Sequence, residues 1–287
     1  MAAAIEINDE TLASLKDKIV IVTGGSSGIG LATVELLLSN GAKVVDGDLE
    51  EPPEGLSSSG DSLTFHKADV LEWGDQVALF KKAIELHGRI DHVFANAGIG
   101  PRINFVDLEL DDDGDPREPT TKTLEVNLNS MINTTALAIH YIRQGGHNGS
   151  VVVNSSSTGL APFRAVDYSV AKHGVVGLVR GLNVILQTKG PSQVRINAVA
   201  PSWTRSKMVV KETFEKMGVH TQPPEAVARA VAMLMADESR RGSIINIDHS
   251  VCKDAEEVLR PAYQSISHQE TDEDKTYGEL YTRIVEG

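Results

Sequence analysis

The chain has 287 residues, 41% of them hydrophobic and 23% charged, which supplies a sizeable core and excludes a disordered or fibrous protein. Its formal net charge of −13 argues against nucleic acid as a partner, which needs clustered Lys and Arg, and against an anionic membrane surface. Cys252 is the only cysteine, the N-terminal residues lack the basic start and apolar run of a signal peptide, and no apolar run approaches a membrane helix, so a soluble cytoplasmic protein is expected.

In chain order, Lys18–Thr23 is a near-continuous apolar run, as a strand buried on both faces must be. A turn rich in glycine and serine follows, then Ile29–Leu38 with helical spacing, stopped at Asn40-Gly41. Lys43–Val45 and Leu63–His66 read as strands, Gln76–Leu86 as a helix and Ile90–Ala95 as a fourth strand. Beyond an acidic loop around Asp107–Asp115, a long helix is predicted over Thr120–Ile142. Val151–Val153 and Val194–Val199 read as the fifth and sixth strands, with a helix over Asp167–Leu186 between them. Pro224–Met235 is a helix and Ser243–Ile247 a final strand. Strands alternating with crossover helices predict an α/β fold, a single doubly wound parallel sheet of about seven strands, Rossmann-like. Residues 1–15 read as an N-terminal extension, 16–250 as the catalytic domain, and 251–287 as an acidic C-terminal extension with a short periodic end at Tyr277–Ile284.

Three features carry chemistry. Gly24, Gly28 and Gly30 stand in a G-x-x-x-G-x-G turn between the first strand and its helix, where the backbone can approach a pyrophosphate and the helix N-terminus can meet its charge. Asp48 lies at the end of the second strand, where a carboxylate accepts from the adenosine ribose hydroxyls and repels a 2′-phosphate; Asp46 competes for this role. No Arg or Lys in the glycine turn or just after Asp48 welcomes that phosphate, so NAD is expected over NADP. Tyr168 and Lys172 are four apart on a predicted helix and share a face. A nearby ammonium favours phenolate, so Tyr168 would take a hydroxyl proton while hydride leaves the same carbon. The nine histidines show no metal-binding spacing, and no metal is expected.

Thr23-Gly-x-x-x-Gly-Ile-Gly30, Ala95-Asn-Ala-Gly98, Tyr168-Ser-Val-Ala-Lys172 and Asn197-Ala-Val-Ala-Pro201 together resemble the short-chain dehydrogenase/reductase family in order and spacing, over about Lys16–Ile247. The style is similar to NAD-linked 15-hydroxyprostaglandin dehydrogenase-like enzymes and to fungal secondary-metabolism members. The resemblance implies that Gly24, Ser27, Gly28, Ile29 and Gly30 cradle the cofactor, that Asp69 bonds the adenine amine beside Val70, and that Asn96, Ala97 and Gly98 pass it at the fourth strand's end. It also implies that Tyr168 and Lys172 touch the cofactor and that Asn127 holds a water linked to the lysine. A serine should orient the substrate oxygen: the Ser-x-x-Gly spacing points to Ser156, the usual gap to the tyrosine to Ser155, and Ser156 is preferred. After the sixth strand, Pro201, Trp203 and Thr204 fall where the nicotinamide carboxamide is contacted, with Ser206 or Thr204 supplying the hydroxyl; the family's glycine is replaced by Ser202.

The resemblance implies that the substrate is bounded by the loops after the fourth, fifth and sixth strands, here 100–104, 158–164 and 202–219. Pro162, Phe163, Trp203, Met208 and Phe214 offer an apolar wall that fits a hydrophobic alcohol or ketone. The runner-up is a cofactor-binding protein acting as scaffold or non-redox catalyst. By the resemblance, a homodimer or homotetramer forms through the two long helices.

Overall fold

The computed structural model describes residues 2–56, 62–188 and 194–267. Strands β1 (Ile19–Thr23), β2 (Lys43–Asp48), β3 (Leu63–Lys67), β4 (His92–Ala95), β5 (Gly149–Asn154), β6 (Val194–Pro201), β7 (Ile244–Asp248) and β8 (Val251–Asp254) form one sheet in the order β3-β2-β1-β4-β5-β6-β7-β8. All neighbours are parallel except β7 and β8. The sheet therefore has eight strands rather than about seven. The added strand follows a two-residue hairpin in which His249 and Ser250 both take left-handed φ, 50° and 62°.

Helices cover both faces, as a parallel sheet requires. Trp73–His87, Ser130–Gln144 and Val166–Thr188 bury Leu79, Phe80, Leu137 and Val179 against one side. Gly28–Ser39 and Pro224–Ala236 bury Val34, Leu37, Val231 and Leu234 against the other. The long helix predicted over Thr120–Ile142 runs from Lys122 to Gln144, interrupted by one π-helical turn at Glu125–Asn129. Within the helix over Val166–Thr188, Val166–Gln187 is long and apolar enough to cross a membrane, which departs from the expectation of no such run. Here its Ala171, Val175 and Val179 are wholly buried and its Lys172 nearly so.

The packed unit reaches past both boundaries read from the sequence. Leu12 and Leu15, on a short helix (Asp9–Leu12) and the turn after it, join the second core cluster. Ile5 pairs with Cys252 of β8 through an N–H···O bond of 2.8 Å. Of the acidic extension, β8 and the helix Glu256–Ser267 belong to this fold, whereas Tyr277–Ile284 lies outside the described residues.

Candidate active site

The strand order reverses between β1 and β4, and a cleft of about 350 Å³ opens there beyond the carboxyl ends of the strands. Of the predicted residues, Gly24, Ser27, Gly28, Ile29, Asp48, Asp69, Val70, Asn96, Ala97, Gly98, Tyr168 and Lys172 line it. Gly24 has φ +71°, and a Cβ there would stand 2.9 Å from Ala97 Cα, so only glycine lets the first turn run this close to the end of β4. Gly30 does not line the cleft: a Cβ there would run into the carbonyl oxygen of Gly24. Its part is to seat the helix against the turn. Asn96 locks the same turn, its amide donating to the carbonyls of Thr23 and Gly24 at 3.0 Å each.

The two candidate carboxylates separate cleanly. Asp46 is wholly buried and accepts from Gly25 N (2.9 Å) and Ser26 Oγ (2.8 Å), with burial pushing its pKa up to about 7. It shapes the turn from behind. Asp48 lines the cleft and is oriented by N–H donors from Ser26 (3.1 Å), Leu49 (2.7 Å) and Glu50 (3.3 Å).

Tyr168 and Lys172 both reach the cleft, with Lys172 Nζ 5.6 Å from the tyrosine ring centroid. Lys172 Nζ donates to the carbonyl of Asn154 at 2.7 Å, and burial lowers its pKa to about 7. Burial also pushes the Tyr168 phenol up, opposed by a hydrogen bond with Ser156. The expected lowering of the tyrosine by the lysine is thus not present in the bare chain, because each group is desolvated and lacks a fixed opposite charge. Of the two serines, Ser156 is the one bonded to Tyr168, and its Oγ also accepts from Thr158 N (3.2 Å). Ser155 Oγ donates instead to the Lys172 carbonyl (3.0 Å), holding the helix rather than facing the tyrosine.

Asn127 is wholly buried on the π turn, and its side chain clamps the peptide group of Ile99, accepting from N (2.8 Å) and donating to O (2.7 Å). The side chain is thus directed at the loop after β4 rather than at Lys172.

After β6 the expected contacts are redistributed. Thr204 is buried away from the cleft, donating to Ser202 O (2.9 Å) and accepting from Gln222 Nε2 (3.0 Å). Ser206 lines the cleft in its place. Pro201 does not reach the cleft but offers its carbonyl to Ser156 Oγ (3.4 Å). Trp203 turns outward and packs between Phe163 and Phe214, with centroids 5.6 and 4.9 Å away. Ser202 takes the place of the family's glycine without a left-handed φ, its Oγ donating to Asp248 (2.6 Å).

Several lining residues escape sequence reasoning, among them Asn154, Lys122 and Lys207, whereas Met208, expected in the apolar wall, does line the cleft. Lys207 lies in the loop after β6, yet it pairs with Glu50 beside Asp48 (2.5 Å), a closeness only the topology creates. The residues present fit a nicotinamide dinucleotide. The glycine turn is a cradle that added side chains would fill, and Asn154 Oδ1 is a buried acceptor with no partner among the described residues.

Comparison with known proteins agrees with this geometry. The family model described as short chain dehydrogenase matches residues 18–218. The chain is 49% identical over 266 residues to the short-chain dehydrogenase/reductase ascJ of Acremonium egyptiacum, covering 91% of this chain and 89% of that protein. It is 29% identical to human 15-hydroxyprostaglandin dehydrogenase [NAD(+)], covering 81% and 91%. The crystal structure of levodione reductase superposes with a TM-score of 0.68 at 27% identity, covering 81% of this chain and 96% of that one.

Proposed function

From the premise that the chain belongs to the short-chain dehydrogenase family, oxidoreductases that bind a nicotinamide cofactor, we propose that it transfers hydride between NAD(H) and a hydrophobic secondary alcohol or ketone. The observation that carries the reading is that Tyr168 and Lys172 line one cleft with the glycine turn and Asp48, while Ser156, outside the cleft lining, is hydrogen-bonded to Tyr168. The bound nicotinamide supplies or accepts the hydride. The protein's part is to hold the reacting oxygen between Ser156 and Tyr168, with Tyr168 taking or giving the proton and Lys172 compensating charge on the phenol oxygen.

Gly24, Ser27, Gly28 and Ile29 would hold the pyrophosphate, Asp48 the adenosine ribose, and Asp69 with Val70 the adenine end. The name of the human relative, which specifies NAD(+), supports NAD, and so does Asp48 in the cleft. That preference leans towards alcohol oxidation in a cell whose NAD is mostly oxidised. The half-exposed rings of Phe163 and Trp203 support an apolar substrate. The protein would pair as a homodimer or homotetramer through its two long helices, on which Ile132 and Val170 are exposed at 39% and 52%.

One observation favours NADP as a second reading: Lys207 lines the cleft beside Asp48, although Glu50 neutralises it. The test is to follow the absorbance of reduced nicotinamide with NAD or NADP over a panel of hydrophobic secondary alcohols and the matching ketones, beside Tyr168→Phe. NAD-dependent turnover lost in the variant supports the reading. NADH binding without turnover on any alcohol or ketone moves the protein to a non-redox role.

A further inference from the structure

At the other end of the sheet, where the strands begin, a second cavity of about 210 Å³ lies under β1, β4, β5 and β6. Lys18, Arg195 and Arg241 converge on it with His92 and Asn148, against one carboxylate, Glu238. In a chain of net charge −13 this concentration of cations is out of keeping with the rest of the molecule.

Arg195 is only 5% exposed. Its terminal nitrogens donate to the carbonyls of Leu234 (3.0 Å), Arg240 (3.0 Å) and Met235 (2.9 Å), which fix the guanidinium at the end of the helix Pro224–Ala236, where Glu238 and Asp237 offset part of its charge. Neither Lys18 nor Arg241 has an ion-pair partner among the described residues. Asp237, the next nearest acid, is engaged by Ser239 and Arg240. His92 is 6% exposed, with Nδ1 against Ser150 Oγ (2.9 Å) and Nε2 without a partner among the described residues. Burial, reinforced by Arg195, Lys18 and His147, holds the ring neutral. In the tautomer where Ser150 Oγ donates to Nδ1, the neutral ring carries its N–H on Nε2 and can donate it. A buried, oriented guanidinium flanked by the half-buried Lys18 and the exposed Arg241 attracts an anion, since the central cation needs little reorganisation and is poorly screened by water.

We propose that this cavity is a binding site for a small multivalent oxyanion, a phosphate monoester or a di- or tricarboxylate, gripped by Arg195, Lys18 and Arg241 with donors from Asn148 and His92. Glu238 lines the same cavity and, with Asp237, acts on the Arg195 charge, so Lys18 and Arg241 supply the less compensated part of the field. The site lies on the opposite edge of the sheet from Tyr168, so it does not depend on the proposed reaction.

The test is calorimetric titration of orthophosphate and of citrate at constant ionic strength, with NADH saturating so that the glycine turn is closed to anions. The comparison is with the double variant Lys18→Gln/Arg241→Gln. Both residues lie at the surface of the cavity, so the variant keeps its circular dichroism spectrum and melting temperature. Saturable one-to-one binding of either anion, weakened at least about tenfold in the variant, is expected from the loss of two charge-assisted contacts. The tighter of the two anions names the ligand class. Binding no better than chloride, or equal binding by the double variant, overturns the proposal.

Discussion

Tyr168 and Lys172 show how far burial sets the behaviour of single residues here. Tyr168→Phe keeps the ring packing and removes the only phenolic proton in the cleft among the described residues. Turnover is expected to fall by about a thousandfold with cofactor affinity little changed, measured as kcat beside the NADH dissociation constant. Lys172 and Asp46 are also linked to stability. The folded pKa of Asp46 is raised from 3.8 to about 7, so its contribution is present below pH 3.8 and disappears as pH rises towards about 7. That of Lys172 is lowered from 10.5 to about 7, so its contribution is present above pH 10.5 and disappears as pH falls towards about 7. Together they predict a stability minimum near neutrality in the cofactor-free protein. Denaturant melts across pH are expected to lose the acid-side slope in Asp46→Asn and the alkaline-side slope in Lys172→Met; slopes unchanged in both would refute the linkage. Asp48 is the third test. Asp48→Ala is expected to lower the NAD-to-NADP ratio of kcat/KM by at least about tenfold, equivalent to ~1.4 kcal/mol of discrimination.

Elements were legible where hydrophobic period and glycine chemistry agree. β1 and the glycine turn were read almost to the residue, because a strand buried on both faces must be apolar throughout. Helical spacing put Tyr168 and Lys172 on one face, and the surrounding motifs singled the pair out. β8 was not legible: its hairpin uses His249-Ser250, neither of which advertises a left-handed turn as Asn-Gly would. The π turn at Asn127 was equally hidden, since an asparagine in a helix says nothing about its register. The approach of Lys207 to Glu50 depends on two loops from opposite halves of the sheet and leaves no local signal. Two glycines make a test at this scale. Gly30→Ala drives a methyl into the Gly24 carbonyl and is expected to destabilise by about 2 kcal/mol while weakening cofactor binding. Gly74→Ala, in open space on the helix Trp73–His87, is expected to stabilise by about 0.5–1 kcal/mol. Denaturant midpoints of the two variants separate a packing constraint from a helix-propensity effect.

For the whole molecule, the exposed apolar residues of the two long helices bear on assembly. Val170→Asp is expected to shift the protein towards monomer in light scattering after size exclusion, with its melting temperature nearly unchanged; an unaltered mass would place the interface elsewhere.

The bridge from Ile5 to Cys252 gives the molecule an order of events in time. During synthesis Ile5, Leu12 and Leu15 leave the ribosome long before the edge strand that receives Ile5 exists, so their apolar surface waits on nearly the whole chain. A contact closed that late contributes little to the folding barrier and much to the lifetime of the finished protein. Substituting Ile5 or Leu12 by Ala should therefore speed unfolding and leave refolding from denaturant almost unchanged, the kinetic mark of a clasp fastened last.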